Sequence, residues 1–184
     1  SCSNLFISYF LIIHMTFCIW MTGLPCSGKT SITRKLAESI SNLAILDGDE
    51  LREWLSPKDF SREARNEHNV RVAHLAKLMI KHNIPVTVSL ISPYKENRTN
   101  AREIIGDGIK FFEVYVNCSL AKCEERDVKG MYKNARSGKI KGFTGIDDPY
   151  EAPDNADLVL DTENKSLNEN VAKVLEFLKS KNLL

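Results

Sequence analysis

The feature that most restricts how this chain can fold is a glycine-bounded loop near its start. Residues 23–30 read Gly-Leu-Pro-Cys-Ser-Gly-Lys-Thr, after a short apolar run at 17–21 and before a segment with helical spacing. Gly23 and Gly28 allow backbone angles that point successive N–H groups towards the middle of the loop. A helix that starts at the end of the loop adds the positive end of its dipole. The pattern therefore predicts a strand-loop-helix unit that binds phosphate groups.

The loop also supplies the side chains that a nucleoside triphosphate requires. Lys29 would reach the β- and γ-phosphates, and the hydroxyl of Thr30 would bind Mg²⁺. ATP binding is therefore the first hypothesis, with Mg²⁺ as the cofactor. The predicted ATP-binding residues are Gly23, Leu24, Pro25, Cys26, Ser27, Gly28, Lys29 and Thr30.

From Met15 onward, apolar segments alternate with segments of helical spacing, such as Ile32, Leu36 and Ile40 in the first helix. This alternation is typical of a parallel sheet with helices on both faces. A chain of 184 residues leaves no room for a second domain. We therefore expect one α/β domain at 15–184 with a mainly parallel five-stranded sheet. Its strands are predicted near 17–22, 44–47, 86–91, 111–117 and 157–161.

The first fourteen residues do not fit this pattern. Leu5 to Ile13 are nearly all apolar, but this run is too short to span a membrane. It also lacks the basic region and the small-residue cleavage site of a secretory signal. Because Met15 stands directly before the first predicted strand, we expect residues 1–14 to be an upstream or non-native extension. An interfacial anchor is the alternative; otherwise no membrane association is predicted.

Charge and cysteine content narrow the partners and the compartment. The net charge of +1 is far from the basic excess of a general nucleic-acid-binding surface, so no nucleic-acid partner is predicted. The five cysteines are odd in number and contain no Cys-x-x-Cys pair. They therefore signal neither a disulfide framework nor a zinc site, and a reducing, cytoplasmic setting is expected.

Acidic residues follow the second predicted strand. The sequence there is Asp47-Gly48-Asp49, with Arg52 three residues further on. Ligands of parallel α/β folds bind in the crevice at the carboxyl ends of the strands. A phosphotransferase needs carboxylates near Mg²⁺ and near the attacking hydroxyl. Next to a phosphate loop, Asp47 and Asp49 are therefore predicted to be catalytic, with Asp47 at the metal; the sequence does not divide the remaining roles between them.

A basic, glycine-punctuated segment lies between Gly130 and Gly145. Its position after the fourth predicted strand suggests a lid that neutralises the transferred phosphate and excludes water. A solvated, charged helix is the alternative. Between residues 126 and 141 the only acidic residue is Asp127; the cations of this stretch are Arg126, Lys129, Lys133, Arg136, Lys139 and Lys141.

Together these segments resemble adenylylsulfate kinases, which use ATP to phosphorylate the 3′-hydroxyl of adenosine 5′-phosphosulfate (APS). The resemblance implies a three-layer P-loop kinase fold with a basic lid, with ATP and APS as substrates. The products would be ADP and 3′-phosphoadenosine 5′-phosphosulfate (PAPS). A homodimer is also implied, and any ATP sulfurylase that supplies APS would be a separate chain. The matching segments are IWMTGLPCSGKT, LDGDELR, FSREAR, LISPY and CEERDVKGMYKNARSGKIKGFTGIDDPYEAP, in family order between residues 17 and 162.

The resemblance implies a substrate site of aromatic and basic side chains. Phe60 and Phe143 match the family's aromatic pair on either side of the adenine of APS, a contact that flat π faces make well. Arg52 and Arg65 match the arginines that hold the phosphosulfate end, where a fork of donors suits tetrahedral anions.

Three further residues match positions of the family site. Lys129 and Lys141 lie in matching lid segments and are expected to meet substrate or phosphate. Ser92 matches the serine described in this family as a phosphoserine intermediate and is a candidate catalytic and substrate-binding residue. The neighbouring sequence offers no base to activate its hydroxyl, and direct in-line transfer to APS suffices. A turn or a hydrogen bond to ligand is therefore the favoured role for Ser92.

The sequence departs from the family pattern at two places. Pro25-Cys26 replaces the small residues that are common in the phosphate loop, but the glycines and Lys29 are kept, so ATP binding is still expected. Three residues after Arg65, the family commonly has Asn, whereas this chain has His68 followed by Asn69. Either residue could supply the polar contact to substrate, and both are predicted substrate-binding residues.

Other functions remain as alternatives. A GTPase-type switch would need an Asn-Lys-x-Asp motif after the fourth strand, where this chain has Asn-Cys-Ser-Leu at 117–120. Another small-molecule P-loop kinase, acting on gluconate, shikimate or a nucleotide, would share the fold and the ATP site. Pairing Phe60 with Phe143 favours a purine substrate over a sugar or a plain acid. A non-catalytic nucleotide-binding module is the remaining alternative.

Overall fold

The computed structural model describes residues 16–55 and 59–184. The strands are β1 (Phe17–Thr22), β2 (Ala44–Asp47), β3 (Val86–Ser89), β4 (Lys110–Asn117) and β5 (Leu158–Asp161). The helices are α1 (Lys29–Ser39), α2 (Gly48–Leu55), α3 (Arg62–Lys81), α4 (Lys95–Ile105), α5 (Leu120–Arg126), α6 (Met131–Arg136) and α7 (Leu167–Ser180). All five predicted strands are confirmed, although β3 ends before its predicted end at 91. The expected extension at 1–14 lies outside the described residues.

The five strands form one parallel sheet in the order β2-β3-β1-β4-β5. In the central strand β1, Phe17, Ile19 and Met21 pack in the core formed with α1 and α7. Cys18 and Trp20 point to the other face, into the core formed with α3 and α4. Because both faces are covered, every residue of β1 is buried, which explains its almost unbroken apolar run. The expected three-layer α/β fold is confirmed.

Local sequence signals fix several helix ends. Ser61 accepts a hydrogen bond from the backbone N–H of Ala64 at the start of α3. Ser166 and Glu169 form a reciprocal capping box at the start of α7. Such caps satisfy N–H groups that have no partner within the helix. Among the helices of the described ranges, none is both long enough and apolar enough to cross a bilayer.

The predicted basic segment folds back over the carboxyl edge of the sheet; we call residues 127–148 the lid. A small apolar cluster joins α6 of the lid to α5 and to the end of β4. At its centre, the rings of Tyr132 and Phe143 pack edge to face with their centroids 4.9 Å apart. The lid therefore has a small core of its own, in addition to the two cores that flank the sheet. The buried members of this cluster are Cys118, Cys123, Tyr132, Ala135 and Phe143.

Candidate active site

The phosphate loop follows β1 at the edge where all the parallel strands end. Gly23 has a φ of 157°, and a Cβ at this position would lie 2.6 Å from the carbonyl oxygen of Val116. Gly28 stands before α1 with a φ of 103°, in the left-handed region. Both positions therefore require glycine, Gly23 for close backbone approach and Gly28 for its conformation. The predicted strand-loop-helix unit is present.

Lys29 is buried and directs its ammonium group into the phosphate loop. Its Nζ donates hydrogen bonds to the carbonyl oxygens of Gly23 at 2.8 Å and Leu24 at 2.7 Å. Burial lowers the pKa of Lys29 to about 8, although neighbouring acidic groups and thiols act in the opposite direction. The loop thus contains a cation whose desolvated charge is available to an anionic ligand.

Thr30 and Asp47 meet next to the loop. The Thr30 hydroxyl donates to Oδ2 of Asp47 at 2.7 Å, and the Ser89 hydroxyl lies 3.3 Å from that of Thr30. The other carboxylate oxygen of Asp47 accepts the backbone N–H of Asp49 at 3.0 Å. Hydroxyl and carboxylate oxygens are the ligands that Mg²⁺ prefers, and it commonly takes few of them from the protein. The two predicted metal-binding residues therefore fit Mg²⁺.

Asp49 contacts the lid. Its carboxylate is 79% exposed and lies 2.6 Å from Nζ of Lys129. The hydrogen bond to this carboxylate raises the pKa of Lys129. The two aspartates thus have different environments: Asp47 is buried beside the phosphate loop, and Asp49 is exposed beneath the lid.

The two phenylalanines lie on neighbouring segments. Phe60 is 47% exposed, and the guanidinium carbon of Arg52 lies 4.8 Å from the centre of its ring. The carbonyl oxygen of Phe60 is 4.0 Å from the position that a Cβ of Gly142 would take, one residue before Phe143. Phe143 itself is 8% exposed and packs on Tyr132. One ring therefore faces solvent and the other belongs to the lid cluster.

Arg65 contacts the lid. Its Nη1 donates to Oδ2 of Asp148 at 2.5 Å and to the hydroxyl of Thr144 at 2.7 Å. Its Nη2 donates to the carbonyl oxygen of Gly142. The buried guanidinium, predicted to hold the phosphosulfate end of a substrate, thus has a carboxylate and two other lid oxygens as acceptors.

Ser92 lies in a buried chain of hydrogen bonds. It accepts from Nε1 of Trp20 at 3.0 Å and donates to Oδ1 of Asn69 at 2.7 Å. The amide nitrogen of Asn69 donates in turn to the carbonyl oxygen of Arg65 at 2.8 Å. Ser92 has a φ of 42°, in the left-handed region. The hydroxyl therefore connects β1, the segment after β3 and helix α3, and Asn69 is directed into the same network.

His68 is buried on α3 near the acidic triplet. Burial, with a smaller effect of Arg52, lowers its pKa to about 4, so the imidazole is neutral near pH 7. A hydrogen bond with the backbone of Gly48 acts in the opposite direction. His68 therefore connects α3 with the residue between Asp47 and Asp49. Lys141 lies on the exposed surface of the lid.

Three residues that sequence analysis did not place in the site hold the phosphate loop. Nη1 of Arg126 lies 3.4 Å from the carbonyl oxygen of Cys26, and its Nη2 donates to the carbonyl oxygen of Thr162. The Thr162 hydroxyl donates to the carbonyl oxygen of Ser27 at 2.7 Å. The Tyr132 hydroxyl donates to the carbonyl oxygen of Pro25 at 2.9 Å. Arg126 and Tyr132 lie within the long basic motif, whereas Thr162 lies outside it, and contacts across 100 residues leave no local pattern.

Comparison with known proteins gives a consistent result. A model of the adenylylsulphate kinase family matches residues 15–161. An adenylyl-sulfate kinase of Picosynechococcus sp. is 45% identical over 170 residues, covering 90% of this chain and 94% of that protein. One from Gloeothece citriformis is 47% identical over 165 residues, with coverage of 87% and 92%. The solved structure of Mycobacterium tuberculosis APS kinase in complex with AMPPNP and APS is 40% identical, with a TM-score of 0.85 and coverage of 90% and 98%. The chain belongs to the adenylylsulfate kinase family.

Proposed function

We propose that this chain transfers the γ-phosphate of ATP to the 3′-hydroxyl of APS, giving PAPS and ADP. The observation that carries the proposal is the meeting of three groups at one edge of the sheet. These are the buried ammonium of Lys29, the Thr30–Asp47 pair and the contact of Asp49 with the lid. A relative with 40% identity was solved with AMPPNP and APS, which supports these two classes of ligand.

Each group has a role in phosphoryl transfer. Lys29 binds the β- and γ-phosphates and stabilises the charge that develops on the transferred group. Thr30 and Asp47 would hold Mg²⁺, which neutralises phosphate charge when it is bound. Asp49 orients the 3′-hydroxyl and accepts its proton, because its carboxylate is exposed beneath the lid. Lys129, in the lid, brings a further cation to this carboxylate.

The substrate site lies between α2, α3 and the lid. Phe60 and Phe143 hold the adenine of APS between their rings. Arg52 binds the phosphosulfate end, with Arg65 beside it. The other proposed contributors, through direct contact or through the network beneath the site, are His68, Asn69, Ser92, Lys129 and Lys141.

A coupled assay of ADP release tests the proposed function. The purified protein with ATP and Mg²⁺ would be offered APS, AMP, gluconate or shikimate in parallel. APS-dependent release that is absent in Lys29→Ala supports the proposal. Release with another acceptor would favour another small-molecule P-loop kinase. ATP binding without release would favour a non-catalytic nucleotide-binding module.

The compartment, the oligomeric state and the source of APS are also proposed. We infer a cytoplasmic homodimer that receives APS from a separate ATP sulfurylase chain. The relatives from Picosynechococcus sp. and Gloeothece citriformis are matched over 94% and 92% of their own length, so the kinase domain makes up nearly all of these two proteins. Light scattering after size-exclusion chromatography measures the oligomeric state, and cell fractionation measures the location.

Phe143→Ala is expected to raise the KM for APS more than the KM for ATP. The substitution removes one of the two faces that hold the adenine of APS, and stacking of a base on an aromatic side chain contributes about 1–3 kcal/mol. This energy range corresponds to about a 5- to 150-fold rise in the KM for APS. Steady-state kinetics with each substrate varied in turn measures both constants. An unchanged KM for APS would remove Phe143 from the adenine site.

The lowered pKa of Lys29 predicts how ATP use depends on pH. Lys29 is cationic below its pKa of about 8 and neutral above it. The value of kcat/KM for ATP is therefore expected to fall as the pH rises through about 8, since this ratio reports groups of the free enzyme. Lys29→Arg keeps its charge over this range and serves as the control. The same decline in Lys29→Arg would assign the titration to another group.

A further inference from the structure

We propose that Asp148 is a positioning residue: with Arg65 and Tyr94 it anchors the lid segment that carries Phe143, and this anchor sets the affinity for APS. The inference rests on the proposed function for its kinetic readout. Its structural basis is a set of contacts within this chain, which do not depend on the identity of the substrate. Asp148 was not among the residues that sequence analysis placed in the site.

The carboxylate of Asp148 has two partners from the body of the domain. Its Oδ2 accepts from Nη1 of Arg65 at 2.5 Å, and the Tyr94 hydroxyl lies 3.0 and 2.9 Å from its two oxygens. The side chains of Arg65 and Asp148 are only 9% and 22% exposed, so the pair is weakly screened by solvent. Burial and the hydrogen bond to Asp148 raise the pKa of Tyr94, so its hydroxyl remains a donor at neutral pH.

Arg65 also holds the residues on both sides of Phe143. Its Nη2 donates to the carbonyl oxygen of Gly142, and its Nη1 donates to the hydroxyl of Thr144. Within the same turn, the backbone N–H of Gly145 donates to the carbonyl oxygen of Asp148 at 2.7 Å. The backbone around Phe143 is therefore fixed to helix α3 through one guanidinium and one carboxylate.

The residue that carries the second aromatic ring lies close to the start of the same helix. Phe60 precedes α3 by two residues, and Arg65 lies in the first turn of α3. Arg65 holds the residues on both sides of Phe143, and Phe60 lies just before α3. The anchor therefore determines the separation of the two rings. A small displacement at a binding site can reduce catalytic efficiency by a large factor, so the carboxylate acts on APS without touching it.

The direction of the change in KM separates this role from a competing one. If Asp148 only occupied a guanidinium that should bind the substrate anion, its removal would free Arg65 and lower the KM for APS. If Asp148 is part of an anchor, its removal displaces Phe143 and raises the KM for APS. The two roles therefore predict opposite signs for the same variant.

The experiment compares Asp148→Asn with Asp154→Asn. Asp154 is an exposed carboxylate that lies 2.6 Å from Lys95 outside the lid, so it provides the same chemical change without the anchor. We expect Asp148→Asn to raise the KM for APS about 10- to 100-fold, with little change for ATP, by loss of alignment. Asp154→Asn should leave both constants unchanged. Tyr94→Phe keeps the buried ring and is expected to raise the KM for APS about tenfold, by loss of one hydrogen bond to a charged group.

Hydrogen exchange at residues 142–148 provides a readout that does not depend on turnover. Exchange should be faster in Asp148→Asn than in the parent chain and in Asp154→Asn. If Asp148→Asn fails to fold, Tyr94→Phe carries the same two measurements. A lowered or unchanged KM for APS, or unchanged exchange, would overturn the anchor. Absence of APS-dependent ADP release in the parent chain would instead contradict the proposed function, and hydrogen exchange would still test the anchor.

Discussion

Lys29→Ala is expected to lower kcat by about 10³-fold or more, because a preorganised charge on the transferred phosphate is lost. The residue is buried, and its ammonium group donates to the carbonyl oxygens of Gly23 and Leu24. Its lowered pKa shows that burial already disfavours the charged form. Removal of the charge is therefore not expected to unfold the domain, and the loss should appear in turnover.

Lys35→Ala is the matched control for this variant. Lys35 lies on the same helix α1 and forms an exposed ion pair with Glu38 at 2.6 Å. Exposed pairs of this kind contribute about 0–1 kcal/mol, so both stability and turnover should be retained. The assay is ADP release at saturating ATP and APS, with thermal unfolding as a check on the fold. Turnover by Lys29→Ala near the parent rate would contradict the assigned role.

The sequence predicted the fold well because the relevant signals are local. β1 is apolar along almost its full length because α1 and α7 cover one face and α3 and α4 cover the other. Ile32 and Leu36 of α1 and Ile40, which directly follows this helix, are all buried, as their spacing predicted. The phosphate loop was predictable for the same reason, since its glycines, Lys29 and Thr30 occupy one short stretch. In β1, α1 and the phosphate loop, the conformation of each residue depends mainly on residues close to it in the sequence.

Roles that depend on distant partners could not be predicted in the same way. Arg65 was expected to hold a substrate anion, but the acceptors of its guanidinium lie in the lid, about 80 positions further along the chain. Ser92 was favoured as a turn or ligand contact; its left-handed backbone agrees with a turn, but Trp20 and Asn69 are its hydrogen-bond partners. No local pattern specifies which polar groups meet after folding. Packing of α3 against the sheet and the lid determines these contacts.

The acidic triplet shows how tertiary structure resolves a local ambiguity. The sequence placed Asp47 and Asp49 together and put Asp47 at the metal, but it did not divide the remaining roles of the two carboxylates. In the folded chain, Asp47 ends β2 and meets Thr30 at 2.7 Å, whereas Asp49 lies in the first turn of α2 and meets Lys129 at 2.6 Å. One carboxylate is therefore directed to the phosphate loop and the other to the lid. This geometry supports assigning the metal to Asp47 and the attacking hydroxyl to Asp49.

Asp47→Asn and Asp49→Asn are each expected to lower kcat by about 10²- to 10³-fold, since each removes a charge aligned with the reacting groups. Their responses to Mg²⁺ should differ. Asp47→Asn should raise the Mg²⁺ concentration needed for half-maximal rate, because it removes the carboxylate beside Thr30. Asp49→Asn should leave that concentration unchanged, because its carboxylate faces the lid.

Titration of Mg²⁺ at saturating APS and ATP measures both effects, and each variant is the matched control for the other. Equal shifts in the Mg²⁺ requirement would contradict the division of roles, and a parent-like kcat in either variant would remove that carboxylate from the reaction.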